Sequence, residues 1–396
     1  MALTFQVSKE VVIPAYGPLL HQRTVCEFFA GIGLMRMGLE RQGWSVIFAN
    51  DIDPQKEEMY KAHFPTTESH FVGDDIHKLK TERVPSCTLA TASFPCNDLS
   101  LAGAREGLKG KQSSAFWGFI EILRKMKARK PPLVLVENVT GFLTSHGGRD
   151  FTEALLALNS LGYAVDALVL DAVDFVPQSR QRLFVIGTLD ADGTDAPVVE
   201  SRVRPKALAG YMNSHAAIRW SVRALPSPPG KNPGLVSILE HLPHDSPEWW
   251  SRDRAKYLLS QMSEKHRGVA NEMIRGRRWS YGTVFRRVRN NISMAELRTD
   301  NIAGCLRTPR GGSGRQILFK AGKGKYFARL LTPRECARLM GADDFIIEGT
   351  LNQALFGFGD AVCVPVVEWI ARHYLNPLVN ELLHVRVGKA AKAANA

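Results

Sequence analysis

Cysteine is scarce and unpatterned. The six are Cys26, Cys87, Cys96, Cys305, Cys336 and Cys363; none are spaced Cys-x-x-Cys, and no Cys/His cluster has the spacing of a zinc site. No metal centre or disulfide framework is expected, and most of these thiols read as small buried hydrophobes. No apolar run approaches the roughly 18 residues of a membrane span. The opening MALTFQVSKEVVIP lacks the basic flank, apolar centre and cleavage site of a secretory leader, so a cytoplasmic protein without a membrane partner is expected. Internal repeats are absent, and low complexity is confined to a short Ala/Lys tail.

The chain that remains is ordinary in polarity, 45% hydrophobic and 23% charged, and at 396 residues long enough for two domains. From Thr24 onward, apolar strand-like runs (TVCEFFA, WSVIFAND, CTLATASF, PPLVLVENV, YAVDALVLDA, RLFVIGTL) alternate with helical ones (GIGLMRMGLERQG, PQKEEMYKAHF, SSAFWGFIEILRKMKAR, DFTEALLALNSLG). That alternation predicts an α/β fold with a doubly wound parallel sheet. Past Asp190 the texture changes to Pro/Gly-rich stretches such as LPSPPGKNPG. Four parts are expected: an extension over 1–23, an α/β domain over 24–190, a smaller domain over 191–345, and a C-terminal helix over 360–380 that completes the α/β domain.

The formal charge of +12 is concentrated in one place. Residues 245–329 carry 19 Lys/Arg against 7 Asp/Glu, and the remainder balances at 32 of each sign. A confined basic segment is the footprint of a polyanion binder; the alternative is a solvated face that serves solubility. Within it, RGRRWSYGTVFRRVRNN interleaves Arg286, Arg287 and Arg289 with aromatics, and LRTPRGGSGRQ sets Arg307, Arg310 and Arg315 in a Gly-rich loop. Arginine suits both phosphates and guanine edges. Trp279 and Phe285 fit a core role as well as a wedge in DNA.

Two positions carry the chemistry. Cys96 follows Pro95 in SFPCNDLS, and Glu137 and Asn138 stand in PPLVLVENV, each at the tail of an apolar run. Residues at the C-terminal ends of successive strands of an open α/β sheet share one crevice. A thiolate beside an acid can attack an electron-poor ring while a proton is managed nearby.

A second constellation reads as a nucleoside site. EFFAGIGL places Phe29, Ala30, Gly31, Ile32 and Gly33 after the first strand, where glycines admit a ligand close to the backbone. Gly-x-Gly alone also fits nicotinamide and flavin sites, but position 36 is Arg, which removes the third glycine of a pyrophosphate cradle. Asp51 or Asp53 in ANDIDP is placed to hold ribose hydroxyls, and Asp75, followed by Ile76, to meet an adenine amine. Each acid alone fits a helix cap equally well. Together they favour an adenosine ligand without pyrophosphate, for which S-adenosyl-L-methionine is the best fit.

The ordered series FAGIG, PCN, ENV, PQSRQR, LTPRECARLMG and GDAVCVPV resembles the bacterial DNA (cytosine-5)-methyltransferases of restriction-modification type, over residues 24–190 and 326–375. The resemblance implies a Rossmann-like S-adenosylmethionine-dependent methyltransferase sheet with a smaller, basic target-recognition domain. It implies Cys96 as nucleophile with Pro95 shaping its loop, Glu137 on the exocyclic amine and N3 of cytosine, and Arg182 on O2. Arg180 would support the catalytic loop or backbone, with Gln178 completing that motif. Phe29 and Ile52 would pack on adenine, Asp51 would hold the ribose, and Asp75 would bond the adenine amine. Asp360 would lie near the methyl donor. The product would be S-adenosyl-L-homocysteine. The implied partner is double-stranded DNA, met by a monomer in the nucleoid, with a cognate endonuclease acting separately.

The chemistry accounts for these residue types. Thiolate addition to C6 makes C5 electron-rich, so the site must favour thiolate through positive charge or helix N-termini. The target atoms lie inside duplex DNA, so the base must be flipped out.

Two positions depart from the family pattern: Asn97 stands where glutamine is usual, and Asp360 where asparagine is usual. Both bear on rate more than on reaction type. Competing expectations are a tRNA cytosine-5 methyltransferase of the same fold and a catalytically silent DNA binder. The basic insert and the lack of a Cys-Phe-Thr motif disfavour the first. The intact Pro95–Cys96, Glu137 and Arg182 set disfavours the second.

Overall fold

The computed structural model describes residues 17–67, 70–95, 114–194, 196–289, 292–308 and 315–383. Cys96, Asn97 and Arg310 lie outside these, as does the side chain of Arg289.

After helix α1 (Gly17–Gln22), strand and helix alternate as expected: β1 (Thr24–Phe28), α2 (Leu34–Glu40), β2 (Ser45–Asn50), α3 (Pro54–His63), β3 (Phe71–Val72), β4 (Leu89–Ala92), α4 (Ala115–Met126), β5 (Leu133–Val139), α5 (Arg149–Ser160), β6 (Tyr163–Asp171) and β7 (Gln181–Leu189). They form one sheet in the order β3-β2-β1-β4-β5-β7-β6. Its strands are buried on both faces, as near-continuous apolar runs such as LVLV in β5 require. The helices begin where the local chemistry says. In α3, Pro54 sits in the first turn, where its missing N–H costs nothing, and the Asp53 carboxylate caps the amides of Gln55 and Lys56. α4 buries Phe116, Phe119, Ile120 and Leu123 on one stripe against the sheet.

The sheet departs from an all-parallel one. β1 to β5 are parallel, but β7 runs antiparallel to both β5 and β6. Residues 172–180 alone join β6 to β7. A parallel crossover needs about a dozen residues or more, so the chain turns back and inserts β7 between its neighbours.

Arg36, where a third glycine would stand in a pyrophosphate cradle, is buried. Its guanidinium lies 4.1 Å from the Phe64 ring centroid, and its Nε donates to Glu40 at 2.8 Å. The position is occupied by packing, not by ligand space.

The expected boundary at residue 191 does not coincide with a change of core. Helix α6 (Lys206–Ser214) and the residues after it bury Leu208, Met212, Ile218 and Trp220 in the same cluster as β4 and β5. The buried Arg204 donates to the buried Asp166 of β6 at 2.7 Å, and Arg223 donates its backbone N–H to the same carboxylate at 3.0 Å. These bonds hold the stretch to the large sheet.

Helices α7 (Arg252–Ser260) and α8 (Glu264–Arg275) pack on one face of a second, antiparallel sheet. It comprises β8 (Ser280–Arg289), β9 (Ile292–Arg298), β10 (Ile317–Gly322) and β11 (Lys325–Leu330) in the order β11-β10-β8-β9. Leu258, Met262, Ala270, Val284, Phe319 and Ala328 form its separate core. The chain then returns to the large core through α9 (Pro333–Leu339), α10 (Leu351–Asp360) and α11 (Val364–Ile370), so residues 333–345 do not belong to the smaller core. Pro333 sits in the first turn of α9, and Thr332 with Glu335 forms a capping box. Glu335 also takes two bonds, 2.6 and 2.5 Å, from the fully buried Arg329 of β11, which locks the second sheet to α9.

Gly357 to Asp360 close α10, and Ala361 to Cys363 are a non-helical link into α11. The helical run Leu351–Leu383 is long and apolar enough to cross a membrane by length and composition, but 72% of its apolar window is buried inside the protein. It is a core helix of this fold.

Candidate active site

A cavity of about 420 Å³ opens where the parallel strands end. Phe29, Ala30 and Gly31 follow β1; Asp51, Ile52 and Asp53 follow β2; Asp74, Asp75 and Ile76 follow β3; Ser93, Phe94 and Pro95 follow β4; Glu137, Asn138 and Val139 end β5. Arg182 from β7, Thr308, and Gly359 to Val362 of the C-terminal helices close the remaining side. Most of the expected site residues therefore share one crevice, as the switch-point rule for open α/β sheets anticipates.

The antiparallel insertion of β7 matters chemically. It sets Arg182, the second residue of β7, opposite Val139, diagonal to Glu137 on the same face. Arg182 Nε lies 3.1 Å from Glu137 Oε1, with both side chains largely buried. Burial raises the Glu137 pKa, outweighing Arg182, Arg180 and the Ser93 hydroxyl, which favour the ionised form. A carboxyl accepts from an amine when ionised and donates to a ring nitrogen when protonated, and burial favours the second form.

Cys96 lies outside the described residues, but its approach is defined. Pro95 is exposed at the cavity wall. Asn138 Nδ2 donates to the Phe94 carbonyl at 3.1 Å, so the residue after Glu137 braces the end of β4 just before Pro95.

Arg180 and Gln178 do not line the cavity. Arg180 is buried and donates to the carbonyls of Leu306 at 2.7 Å, Gly359 at 3.0 Å and Ala361 at 2.5 Å. Gln178 donates to the Leu339 carbonyl at 2.7 Å and accepts from Leu306 N at 2.9 Å. Together they tie the segment between β9 and β10 to α9 and the end of α10.

The nucleoside end is built from backbone. Gly31 has φ +57, and nothing lies within 4 Å of where its Cβ would stand, so a ligand can approach closely. Its amide donates to Asp51 Oδ2 at 2.8 Å. Phe29 is also held at a left-handed φ of 57, and it lines the cavity. Ile52 lines the rim although it is 66% exposed. Thr91 Oγ1 is buried without a hydrogen-bond partner among the described residues. An open glycine, an uncovered apolar rim and an orphaned hydroxyl fit an adenosine-type ligand. Burial raises the Asp51 pKa, against Lys56 and the amides of Asp53 and Gly31. Asp53, the other ribose candidate, is the α3 cap.

Two expected cofactor residues are not in the lining. Ile32 is buried in the core, and a Cβ on Gly33 would fall 2.4 Å from the Phe64 ring, so its role is close packing.

Three lining or adjacent residues carried no sequence signal. Glu27 is buried beneath the cavity; burial pushes its pKa up to about 8, against Arg36 and the Tyr60 hydroxyl. Lys56 Nζ pairs with Asp360 Oδ2 at 2.8 Å, which gives the unusual acid at position 360 a counter-ion. Cys305 is a partly exposed free thiol, 3.4 Å from Arg180 Nη1 and 4.0 Å from Arg182 Nη2. Burial pushes its pKa up, but Arg180, Arg182 and Arg307 outweigh that and lower it. The other described cysteines, Cys26, Cys87, Cys336 and Cys363, are buried as expected.

The arginines of the basic segment divide between faces. Residues two apart on a strand share a face, so Arg286 lies with Val284 on the helix-covered side and Arg287 on the opposite one. Arg286 sits 5.7 Å from the Trp250 ring centroid, whereas Arg287 is more than half exposed near Glu296. Arg307 is exposed beside the lining residue Thr308, and Arg315 donates to Asn352 at 2.7 Å.

An α/β sheet whose strand ends gather an open glycine, three acids and a carboxylate–guanidinium pair in one cavity has the form of a nucleoside-dependent group-transfer enzyme. The family model of the C-5 cytosine-specific DNA methylases matches residues 23–376, and the chain belongs to that family. It is similar to the type II methyltransferase M.Bsp6I of Bacillus sp. strain RFL6, 27% identical over 88% of this chain and 97% of that one. It is similar also to M.NlaX of Neisseria lactamica, 29% identical over 88% and 94%. The fold is shared with the S. pombe Dnmt2 methyltransferase, at a TM-score of 0.58 and 18% identity over 90% of this chain and 98% of that one. The Entamoeba histolytica methyltransferase EhMeth gives a TM-score of 0.58 at 17% identity over 88% and 96%. The enzyme is accordingly a DNA cytosine-C5 methyltransferase, and such enzymes use S-adenosylmethionine.

Proposed function

We propose that this methyltransferase acts on one cytosine of a short duplex sequence, flipped out of the helix and held by Cys96, Glu137 and Arg182. The observation that carries the reading is the Glu137–Arg182 pair at 3.1 Å, in the same cavity that Pro95 lines. Bound S-adenosylmethionine supplies an electrophilic methyl group. Phe29, Ile52, Asp51, Asp75 and Ile76 hold its nucleoside.

The Cys96 thiolate adds to C6, and the electron pair of the C5–C6 double bond moves onto C5. Glu137 shares its proton with N3 and accepts from the exocyclic amine, and Arg182 steadies charge at O2. C5, made electron-rich by Cys96, would receive the methyl group that the bound cofactor supplies. A base then removes the C5 proton, and loss of the Cys96 thiolate restores the ring. Removing one such electrostatic group costs about 10²–10³ in rate where it is aimed at developing charge.

The second sheet, with α7 and α8, serves as the target-recognition unit, and residues up to about 222 belong with the catalytic unit. Arg287, Arg289, Arg307 and Arg310 are the stronger candidates for DNA contact. Arg286 and Arg315 serve packing and inter-element bonding. The biological setting is restriction-modification or modification of the host genome in the cytoplasm, with any cognate endonuclease acting separately.

The test is label transfer from methyl-labelled S-adenosylmethionine to unmethylated genomic DNA and, separately, to bulk tRNA, with base-resolved mapping of 5-methylcytosine. Label at one recurring short DNA sequence is expected. Label in tRNA alone overturns the DNA assignment.

A further inference from the structure

The nucleoside end of the cavity has its candidate partners, but S-adenosylmethionine also carries an amino-acid end with a carboxylate and an ammonium. Among the described lining residues, the permanent cations are Lys56 and Arg182. Arg182 is committed to Glu137. A carboxylate bound in this cavity therefore has Lys56 as its available cation. Lys56 Nζ lies 2.8 Å from Asp360 Oδ2, and both residues line the cavity. The pair joins the first turn of α3 to the last residue of α10. The Lys56 side chain is 19% exposed and that of Asp360 42%, so the acid can turn away without uncovering core. Burial pushes the Lys56 pKa down, and Asp360, Asp51 and Asp53 together outweigh it and raise it.

We propose that Lys56 anchors the carboxylate of the cofactor's amino-acid end while Asp360, its partner in the ion pair, takes the ammonium. This rests on the S-adenosylmethionine reading of the cavity. The ion pair and the amino-acid end are the same two charges exchanged: one internal pair opens and two intermolecular pairs form, so no charge is left buried alone. The acid at position 360 then has a purpose that asparagine would meet less strongly, and Lys56 is what makes an acid tolerable there.

The experiment compares two ligands by calorimetric titration of the full chain without DNA. S-adenosylhomocysteine carries the amino-acid end, and 5′-methylthioadenosine lacks it. In Lys56→Met, S-adenosylhomocysteine should bind about ten- to a hundred-fold more weakly, the worth of a hydrogen bond to a charged group, with 5′-methylthioadenosine changed less than about two-fold. Lys56→Arg should keep most of the discrimination. Equal loss of both ligands overturns the proposal, because Lys56 then acts through Asp51 and the seating of α3. No loss of either overturns it as well. If Lys56→Met fails to fold by its ligand-free melting curve, Lys56→Gln is read by the same titrations. Failure of the wild-type protein to bind either ligand sinks the cofactor reading itself, a result distinct from wild-type binding that Lys56→Met leaves intact.

Discussion

Arg182→Met should weaken the fold in a way that depends on pH, because it strips Glu137 of its nearest cation. Arg182 Nε lies 3.1 Å from the Glu137 carboxylate, and the Glu137 side chain is 8% exposed. Two unit charges at that distance attract by about 5 kcal/mol at an effective dielectric of 20. Glu137 need not bear that whole loss, since it can take a proton instead. Protonating a carboxyl of ordinary pKa ~4.3 costs ~1.4 kcal/mol for each pH unit above that value. The ceiling is therefore about 4 kcal/mol at pH 7 and about 1 kcal/mol at pH 5. A carboxyl whose pKa is higher folded than unfolded holds more protons in the folded state. Its stabilisation is lost as pH climbs from the unfolded value toward the folded one, and the variant widens that window upward. Burial already raises the Glu137 pKa in the wild type, so the measured loss should fall somewhat below the ceiling. Urea unfolding at pH 5, 6, 7 and 8 measures it. Near-equal destabilisation at pH 5 and pH 8 would falsify the claim that Glu137 is the buried partner left behind. Adding Glu137→Gln to the variant should flatten the pH dependence.

Three further outcomes follow from the same structure. Cys96→Ala should abolish methyl transfer yet keep DNA binding in a gel-shift assay; turnover by that variant would remove Cys96 as nucleophile. Arg287→Ala with Arg289→Ala should weaken DNA binding and lower the salt slope by about 0.9 for each phosphate no longer neutralised, while Arg286→Ala leaves the slope unchanged; a slope that responds only to Arg286 would reverse the face assignment. Glu335→Ala leaves Arg329 buried without its carboxylate and should destabilise by about 3–5 kcal/mol in urea unfolding, whereas a loss below about 1 kcal/mol would mean the pair is relieved by solvent.

The parts of the fold legible in the sequence are those encoded locally. Apolar runs ending in Asp51, Pro95 and Glu137 are strands whose ends meet, and the structure gathers them in one cavity. Pro54 and Pro333 mark helix starts because proline fits the first turn. The rest depends on partners distant in sequence. Alternation of strand and helix cannot reveal that β7 turns back, and that reversal delivers Arg182 to Glu137. Arg204 and Asp166 hold residues past 191 to the large sheet, a bond no composition shift announces. Lys56 and Asp360 stand 304 positions apart, so nothing local connects them. The glycine motif reads as uniformly ligand-facing in sequence, whereas only Gly31 faces the cavity and Gly33 is pressed against aromatic rings. The arginine run likewise reads as one surface, although strand pleating sends Arg286 and Arg287 to opposite sides.

The most direct test of the central claim is a covalent trap. Genomic DNA in which cytosine is replaced by 5-fluorocytosine has no C5 proton to release, so an adduct cannot resolve after methyl transfer. Incubated with S-adenosylmethionine and the protein, it should yield a denaturation-resistant complex whose protease fragment carries the modified base at Cys96. A complex linked through another residue such as Cys305, or methylation of normal DNA with no trapped complex, would contradict the account.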